Sequence, residues 1–325
     1  MLRDLEKVLA HAERELSPAA NARPTEALPL YKKFLRIEEH RLRLQHQAGG
    51  GGRKICAGRS RLVDLLLRHV FAAAAAVART GGQVTPTPLT FVALGGYGRG
   101  ELNPCSDVDV MFLHKEKADR VSPYAKQVVE QVLYLLWDIG FKVGHSTRSL
   151  SEALEQANSE MHTKTAMLES RFLAGDLELE RLFREEFREK CAQGHEREYV
   201  ELRMRDQAAR HAKYGDSVYM QEPHVKSGCG GLRDYQNLLW MTFFREGALT
   251  TTHLLGNDWL SPADQRRIDL AYDFLLRLRT ELHYVNGRAA DVLHLNFQET
   301  IAQRLRYSQK GHAPLSEALM KDYYG

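Results

Sequence analysis

Cysteine is scarce in this 325-residue sequence: Cys56, Cys105, Cys191 and Cys229 stand far apart with no CxxC pair. That spacing points to neither a disulfide framework nor a zinc site, and it suits a reducing cytoplasm. An excess of one charge is also lacking, since 45 Lys+Arg against 42 Asp+Glu leave a net +3. So small a surplus does not mark a nucleic-acid-coating or membrane-surface protein. No apolar run is long enough to span a bilayer, and the start of the chain carries Arg3, Asp4, Glu6 and Lys7 in place of a signal-peptide core. The expectation is a cytoplasmic protein with neither a nucleic acid nor a membrane as partner. Internal repeats and extended low-complexity tracts are absent as well. What remains is enough chain for two or three structural units with a real core.

Apolar spacing at Leu2, Leu5, Val8 and Leu9 predicts a first helix, and a break follows over Ala19–Pro29. A second helix is predicted near Leu30–Gln47, then Gly49-Gly50-Gly51-Gly52 interrupts as a flexible connection or turn. That run lacks a preceding strand and the P-loop pattern, which weighs against a phosphate site. A long helix spans about Arg59–Arg79, and its Ala72–Ala78 run reads as buried and soluble. Pro86 and Pro88 then precede a short apolar strand, Leu89–Leu94. After a glycine loop come a second strand at Val108–Leu113, a helix at Pro123–Ile139 and a third strand at Phe141–Ser146. From Leu150 the chain reads as almost entirely helical, with breaks near Glu222–Gly231 and Gly256–Pro262. The pattern divides the sequence into an N-terminal helical segment (1–80), a central domain (81–176) and a helical domain (177–325). Ala318–Tyr324 is still helical where the sequence stops, which reads as a piece of something longer.

The chemistry concentrates in Leu94-Gly95-Gly96-Tyr97-Gly98-Arg99-Gly100-Glu101-Leu102 and Ser106-Asp107-Val108-Asp109. Asp107 and Asp109 lie two apart on a predicted strand, so they share a face, while Val108 and Val110 anchor the other. Paired carboxylates repel unless a cation lies between them, and Mg²⁺ (or Mn²⁺) takes carboxylate and phosphate oxygens together. Gly95, Gly96, Gly98 and Gly100 let backbone amides approach a triphosphate closely, and Arg99 adds charge. A glycine loop alone is weak evidence; a strand entering it and a second strand with paired acids make the combination specific. The structural alternative gives Asp107 and Ser106 a turn, leaves Asp109 solvated and makes the glycines a tight loop only.

These residues, with Pro104, resemble the bacterial protein-PII uridylyltransferases, a branch of the polymerase-β-like nucleotidyltransferases. The resemblance runs from about Tyr31 to the end. It takes in Leu136-Trp137-Asp138, Val143-Gly144-His145-Ser146-Thr147-Arg148, Glu169-Ser170-Arg171 with Gly175-Asp176, and Glu222-Pro223-His224-Val225-Lys226 leading to Gly230-Gly231-Leu232-Arg233-Asp234. Leu278-Arg279, Leu282-His283, Gln298, Ile301 and Ala302 add to it. The resemblance implies an α+β fold, a polymerase-β-like nucleotidyltransferase domain with a mixed sheet, flanked by N-terminal helices and a C-terminal helical domain. It implies UMP transfer from UTP to a tyrosine of a PII-type nitrogen-signalling protein, with pyrophosphate released. On that reading Asp107 and Asp109 are catalytic and bind metal, and Gly95, Gly96, Arg99, Ser106, Arg171, Lys226 and Arg233 bind the nucleotide. Nucleotidyl transfer to another protein, adenylyl transfer for example, and a catalytically silent regulatory module are the alternatives.

Three departures qualify the resemblance. The third strand offers Gly144-His145-Ser146 where related enzymes carry a third acid, leaving Glu160 as a substitute. Cys229 replaces the usual proline of the Gly-Pro-Gly-Gly-Leu-Arg-Asp run, which would loosen that turn. The family's HD hydrolase and ACT domains have no room, so de-uridylylation and glutamine sensing are expected to be absent from this polypeptide. Other polar residues carry two readings. Lys226, Arg233 and Asp234 either reach the nucleotide or fix a turn; His145, Arg148 and Arg171, placed after the third strand and on the next helix, either contact substrate or hold structure. Arg279 and His283 share a helix face and read as structural. Tyr134, Leu135 and Trp137, like Leu238, Leu239 and Trp240, read as core.

Overall fold

Helical spacing governs most of the chain, and the computed structural model of the protein describes residues 2–16, 26–80, 85–115, 120–256, 259–308 and 312–325. Much of the predicted break at Ala19–Pro29, and residues 81–84 at the start of the predicted central domain, lie outside them. So do the side chains of Leu2 and Leu5. Contacts gather the chain into two compact units. The first is made of Met1–Arg43, Ala57–Leu102 and Ser106–Cys191, the second of Leu44–Cys56, Asn103–Cys105 and Ala192–Gly325.

Helices α1 (Leu2–Leu16), α2 (Leu28–Gln47) and α3 (Gly52–Thr80) come first. Strand β1 (Leu89–Ala93) leads through a single helical turn, α4 (Gly95–Gly98), towards β2 (Val108–His114). Then follow α5 (Pro123–Ile139), β3 (Val143–Ser149), α6 (Leu150–Ser159), α7 (Met161–Leu168), β4 (Arg171–Gly175) and α8 (Leu177–Phe187). Local chemistry sets these ends. Ser122 caps α5 at the Ala125 amide with Pro123 behind it, and Gly140 closes that helix at φ 108°. Ser149 and Glu152 form a reciprocal capping box on α6, and Asp176 caps α8.

The sheet order is β3-β2-β1-β4, with β2 and β3 parallel and the other pairs antiparallel. It is the mixed sheet expected, with one strand more than the sequence pattern gave. Arg171-Phe172-Leu173-Ala174-Gly175 is too short for periodicity to separate it from the surrounding helices, yet it pairs with β1 along the sheet edge. Arg171 therefore opens a strand; it is not on a helix. Likewise β3 begins later than expected and runs to Ser149, so His145 and Arg148 lie within it.

One face of the sheet, carrying Phe91, Ala93, Val108, Val110, Phe112 and Leu173, shares a core with α3 and α5. Phe71, Phe91 and Phe112 stack there at 5.7 and 4.5 Å between centroids. Of the alanine run expected to be buried, Ala73, Ala74, Ala75 and Ala78 are, whereas Ala72 and Ala76 are exposed. The opposite face carries Val92, Met111 and Leu113, all buried, and α6 and α8 pack against its strands. Leu135 belongs to the core, but Tyr134 and Trp137 do not: they are 63% and 45% exposed. They occupy the solvent side of α5, where Trp137 meets His145 edge-on at 5.9 Å.

The second unit contains α9 (Glu196–Tyr214), α10 (Leu232–Glu246), α11 (Thr252–Gly256), α12 (Pro262–Asn286), α13 (Leu295–Arg304) and α14 (Leu315–Tyr324). Its core gathers Cys56, Val225, Leu232, Tyr272, Leu278, Leu282 and Ile301. Trp240 is buried as expected, beneath the guanidinium of Arg203 at 4.5 Å. The glycine run is a closely packed turn, not a flexible link. A Cβ on Gly52 would lie 2.3 Å from backbone atoms of Asp273 and Arg277, and the Asp273 carboxylate accepts from the Gly52 and Arg53 amides. Among the described residues, no helix is long and apolar enough to cross a membrane.

Candidate active site

Strand β1 ends where the backbone must reverse towards β2, and Gly95 makes that reversal at φ 53°. The Leu94 amide bonds to the Asp109 carbonyl at 2.9 Å, so the turn starts level with Asp109. Gly98, Arg99 and Glu101 donate back to Leu94, Gly95 and Gly96, closing the loop on itself. No side chain fits at Gly98, because a Cβ there would lie 2.2 Å from the Glu169 carbonyl oxygen.

A polar clamp holds the loop. Arg171 donates to both carboxylate oxygens of Asp64, at 2.6 and 2.9 Å, and to the carbonyls of Tyr97 and Gly98 at 3.1 Å. The buried Tyr97 hydroxyl also donates to Asp64, at 2.8 Å. Burial, then the Asp64 charge, pushes this phenol well above its ordinary pKa, which keeps it neutral. Burial opposes the Arg171 charge, but the bonds from Asp64 prevail and raise its pKa. Arg99 is held similarly, between Glu101 at 2.9 Å and the buried Glu169 at 2.5 Å. Both arginines thus have carboxylate partners that the sequence reading did not assign. Asp64 is the residue it missed. Its signal was an acid inside Leu62-Val63-Asp64-Leu65-Leu66, since a carboxylate in a buried helical run needs a partner.

Asp109 lies on β2, and Asp107 immediately precedes that strand. Val108 and Val110 are buried while Asp107 is exposed and Asp109 half-buried, the alternation expected of acids on one face. Register pairs Asp109 with Gly144 of β3. A Cβ on Gly144 would come within 2.3 Å of Asp109 Oδ1, and one on Gly95 within 3.7 Å of Oδ2. The carboxylate therefore occupies a cradle formed by two residues without side chains. A side chain at 144 would therefore displace the Asp109 carboxylate from where it lies. Glu160 does not supply the third acid in this arrangement, because its carboxylate caps α7 at the His162 and Thr163 amides. Burial raises its pKa, but those hydrogen bonds outweigh the effect and lower it.

The remaining candidates divide. Ser106 adjoins Asp107 in the first unit. His145 pairs with Val110, placing it on the sheet face opposite Asp109. Lys226 and Arg233 belong to the second unit, Lys226 in the turn before α10 and Arg233 in its first turn, where the Arg233 amide donates to the Lys226 carbonyl at 2.8 Å. That turn is closed despite Cys229: Gly231 donates to Gly228 and Leu232 to Val225. Arg233 lies over Trp240 at 5.1 Å, and Asp234 pairs with Arg210 and His211. Arg279 and His283 are structural, as expected. Arg279 bridges Asp291 and Asn103, each at 2.6 Å, and the buried His283 accepts from the Cys105 amide.

The donor set at the cradle is oxygen only, two carboxylates with solvent access at Asp107, which fits a hard divalent cation that keeps waters and shares substrate phosphates. Among the described residues, no third His, Cys, Asp or Glu joins Asp107 and Asp109 closely enough to share one ion.

Comparison with known proteins matches residues 43–167 to the nucleotidyltransferase family DUF294 and residues 198–325 to the family GlnD PII-uridylyltransferase. Three relatives carry the name bifunctional uridylyltransferase/uridylyl-removing enzyme. They come from Erythrobacter litoralis (36% identity over 84% of this chain), Azospirillum brasilense (38% over 81%) and Rhodospirillum rubrum (37% over 85%). The aligned region spans 30%, 27% and 29% of those relatives' own lengths.

Proposed function

We propose, for a chain that belongs to the nucleotidyltransferases and carries a PII-uridylyltransferase domain, that it transfers UMP from UTP to a tyrosine of a PII-type signalling protein, releasing pyrophosphate, in the cytoplasm. The observation that carries this reading is the cradle at Gly95 and Gly144, which holds the Asp109 carboxylate beside the glycine turn. Asp107 and Asp109 would hold Mg²⁺ or Mn²⁺, which supplies charge neutralisation on the phosphates and acidifies the attacking phenol. Gly95 and Gly96 bring main-chain amides, with no Cβ in the way, to the triphosphate. Asp64, Tyr97 and Arg171 keep that turn in one conformation, so little reorganisation remains when the nucleotide arrives. Arg99, Ser106, Arg171, Lys226 and Arg233 are proposed as nucleotide contacts. Arg99 and Arg171 would do so while retaining their carboxylate partners.

The test is incubation of the chain with labelled UTP, Mg²⁺ and a PII protein. Label on the PII tyrosine is expected, and its loss in Asp109→Asn. Absence of transfer from UTP, ATP, CTP and GTP alike would overturn the assignment, and transfer from ATP alone would reassign the base.

A further inference from the structure

Away from the cradle, three side chains of different chemistry converge in the second unit. His211 lies in the last turn of α9, Asp234 in the first turn of α10, and Cys229 in the glycine turn before α10. His211 Nε2 is 2.9 Å from Asp234 Oδ2 and 3.1 Å from Oδ1. One ligating atom from each of the three residues lies within 4.8 Å of the other two. Donors around a tetrahedral zinc ion, at the usual bond lengths, lie roughly 3.3–3.7 Å apart. Binding would draw the donors together by at most about 1.5 Å to reach that spacing.

We propose that His211 Nε2, Cys229 Sγ and an Asp234 carboxylate oxygen form a binding site for a zinc-type divalent ion, with water in the fourth position. The ion takes the place of the proton shared between His211 and Asp234, and the Cys229 thiol proton leaves to solvent. Imidazole and thiolate donors select a borderline-soft metal over Mg²⁺, so the site is chemically distinct from the oxygen cradle of Asp107 and Asp109. Its surroundings are built to orient a ligand. The Gly230 amide donates to Asp234 Oδ2 at 2.9 Å and Arg210 to Oδ1 at 3.1 Å, while Arg210 is itself fixed by Asp206 and the Ser227 carbonyl. Such outer partners set carboxylate direction in metal sites. Sequence spacing conceals the site because its ligands come from two helices and a turn, with no CxxC pair. Once bound, the ion ties the end of α9 to the start of α10 and fixes the turn that carries Lys226.

Cobalt(II) added to the metal-free 325-residue chain tests this directly. A thiolate-to-cobalt charge-transfer band at one equivalent is expected, competed away by zinc. The band should vanish in Cys229→Ser and persist in Cys105→Ser and Asp109→Asn. Zinc affinity of Cys229→Ser and His211→Ala should fall at least about tenfold. No thiolate band in the wild-type chain, or a band surviving Cys229→Ser, would overturn the site whatever the variants' stability.

Discussion

The two glycine turns of this protein, one before Arg99 and one before Arg233, look alike in sequence and are built to opposite ends. At the first, buried or half-buried acids on neighbouring elements engage the arginines: Asp64 holds Arg171, and Glu101 and Glu169 hold Arg99. Asp107 is left exposed and without an ion pair among the described residues. At the second, the acid itself is engaged, Asp234 by Arg210 and His211. Similar residues thus give a turn that leaves the Asp107 carboxylate exposed and a turn that internally neutralises its acid. Which residue is available to a ligand follows from partners elsewhere in the chain, and local composition does not reveal it.

The sharpest way to break the contrast is to neutralise the acid seated between Gly95 and Gly144. Asp109→Asn should lower turnover by about 10²–10⁴-fold, the scale of several kcal/mol of lost transition-state stabilisation, with circular dichroism unchanged. Gly144→Ala keeps both carboxylates but puts a methyl where Asp109 Oδ1 lies. Turnover should fall about 10²-fold, as for a displacement of order 1 Å at a reacting centre. Thermal melting should barely move, since the contact is with a side-chain end.

Arg171→Ala reverses that pattern. It strands a buried carboxylate and frees two loop carbonyls, so denaturant titration should show a loss of about 2–3 kcal/mol, short of a fully buried pair because Arg171 retains some exposure. The smallest effect belongs to the second unit. Burial would raise the Asp291 pKa, but the His283 imidazole 3.8 Å away and the Arg279 charge and hydrogen bond outweigh it and hold the carboxyl well below its ordinary value. A depressed native pKa stabilises the fold fully above the unfolded-state value and is lost as pH falls below it. Urea midpoints should therefore drop between pH 5 and pH 3, and less so in Asp291→Asn.

Much of this was legible in the sequence. Long amphipathic runs gave the helices, and β1 and β2 were readable because each short apolar run flanks glycine or paired acids. Strand β4 was not, because five residues at a sheet edge carry no periodicity that survives between helices. The candidate acids and glycines could be named from spacing, whereas the Asp64–Tyr97–Arg171 clamp needed contacts over more than thirty positions. Tyr134 and Trp137 misled because aromatic residues at helical spacing usually face a core. Here the buried stripe of α5 is Val128, Val132, Leu135 and Leu136, and the aromatics fall beside it. The readings of Arg99 and Arg233 as nucleotide contacts rest on charge and resemblance, and single-turnover kinetics of Arg99→Lys and Arg233→Lys would sort positioning from contact.

The chain enters the second unit at Leu44–Cys56, again for three residues at Asn103–Cys105, and finally from Ala192. Asn103 donates to Thr280 and accepts from Arg279, so even the shortest visit is tied down by named bonds. No single cut in the polypeptide separates two intact units. Expression of residues 57–191 or 192–325 alone should yield pieces with missing core or missing anchors. The three residues between the glycine turn and the acid strand belong to the helical unit, and because the chain changes unit five times, no circular permutation would leave each unit in one continuous stretch.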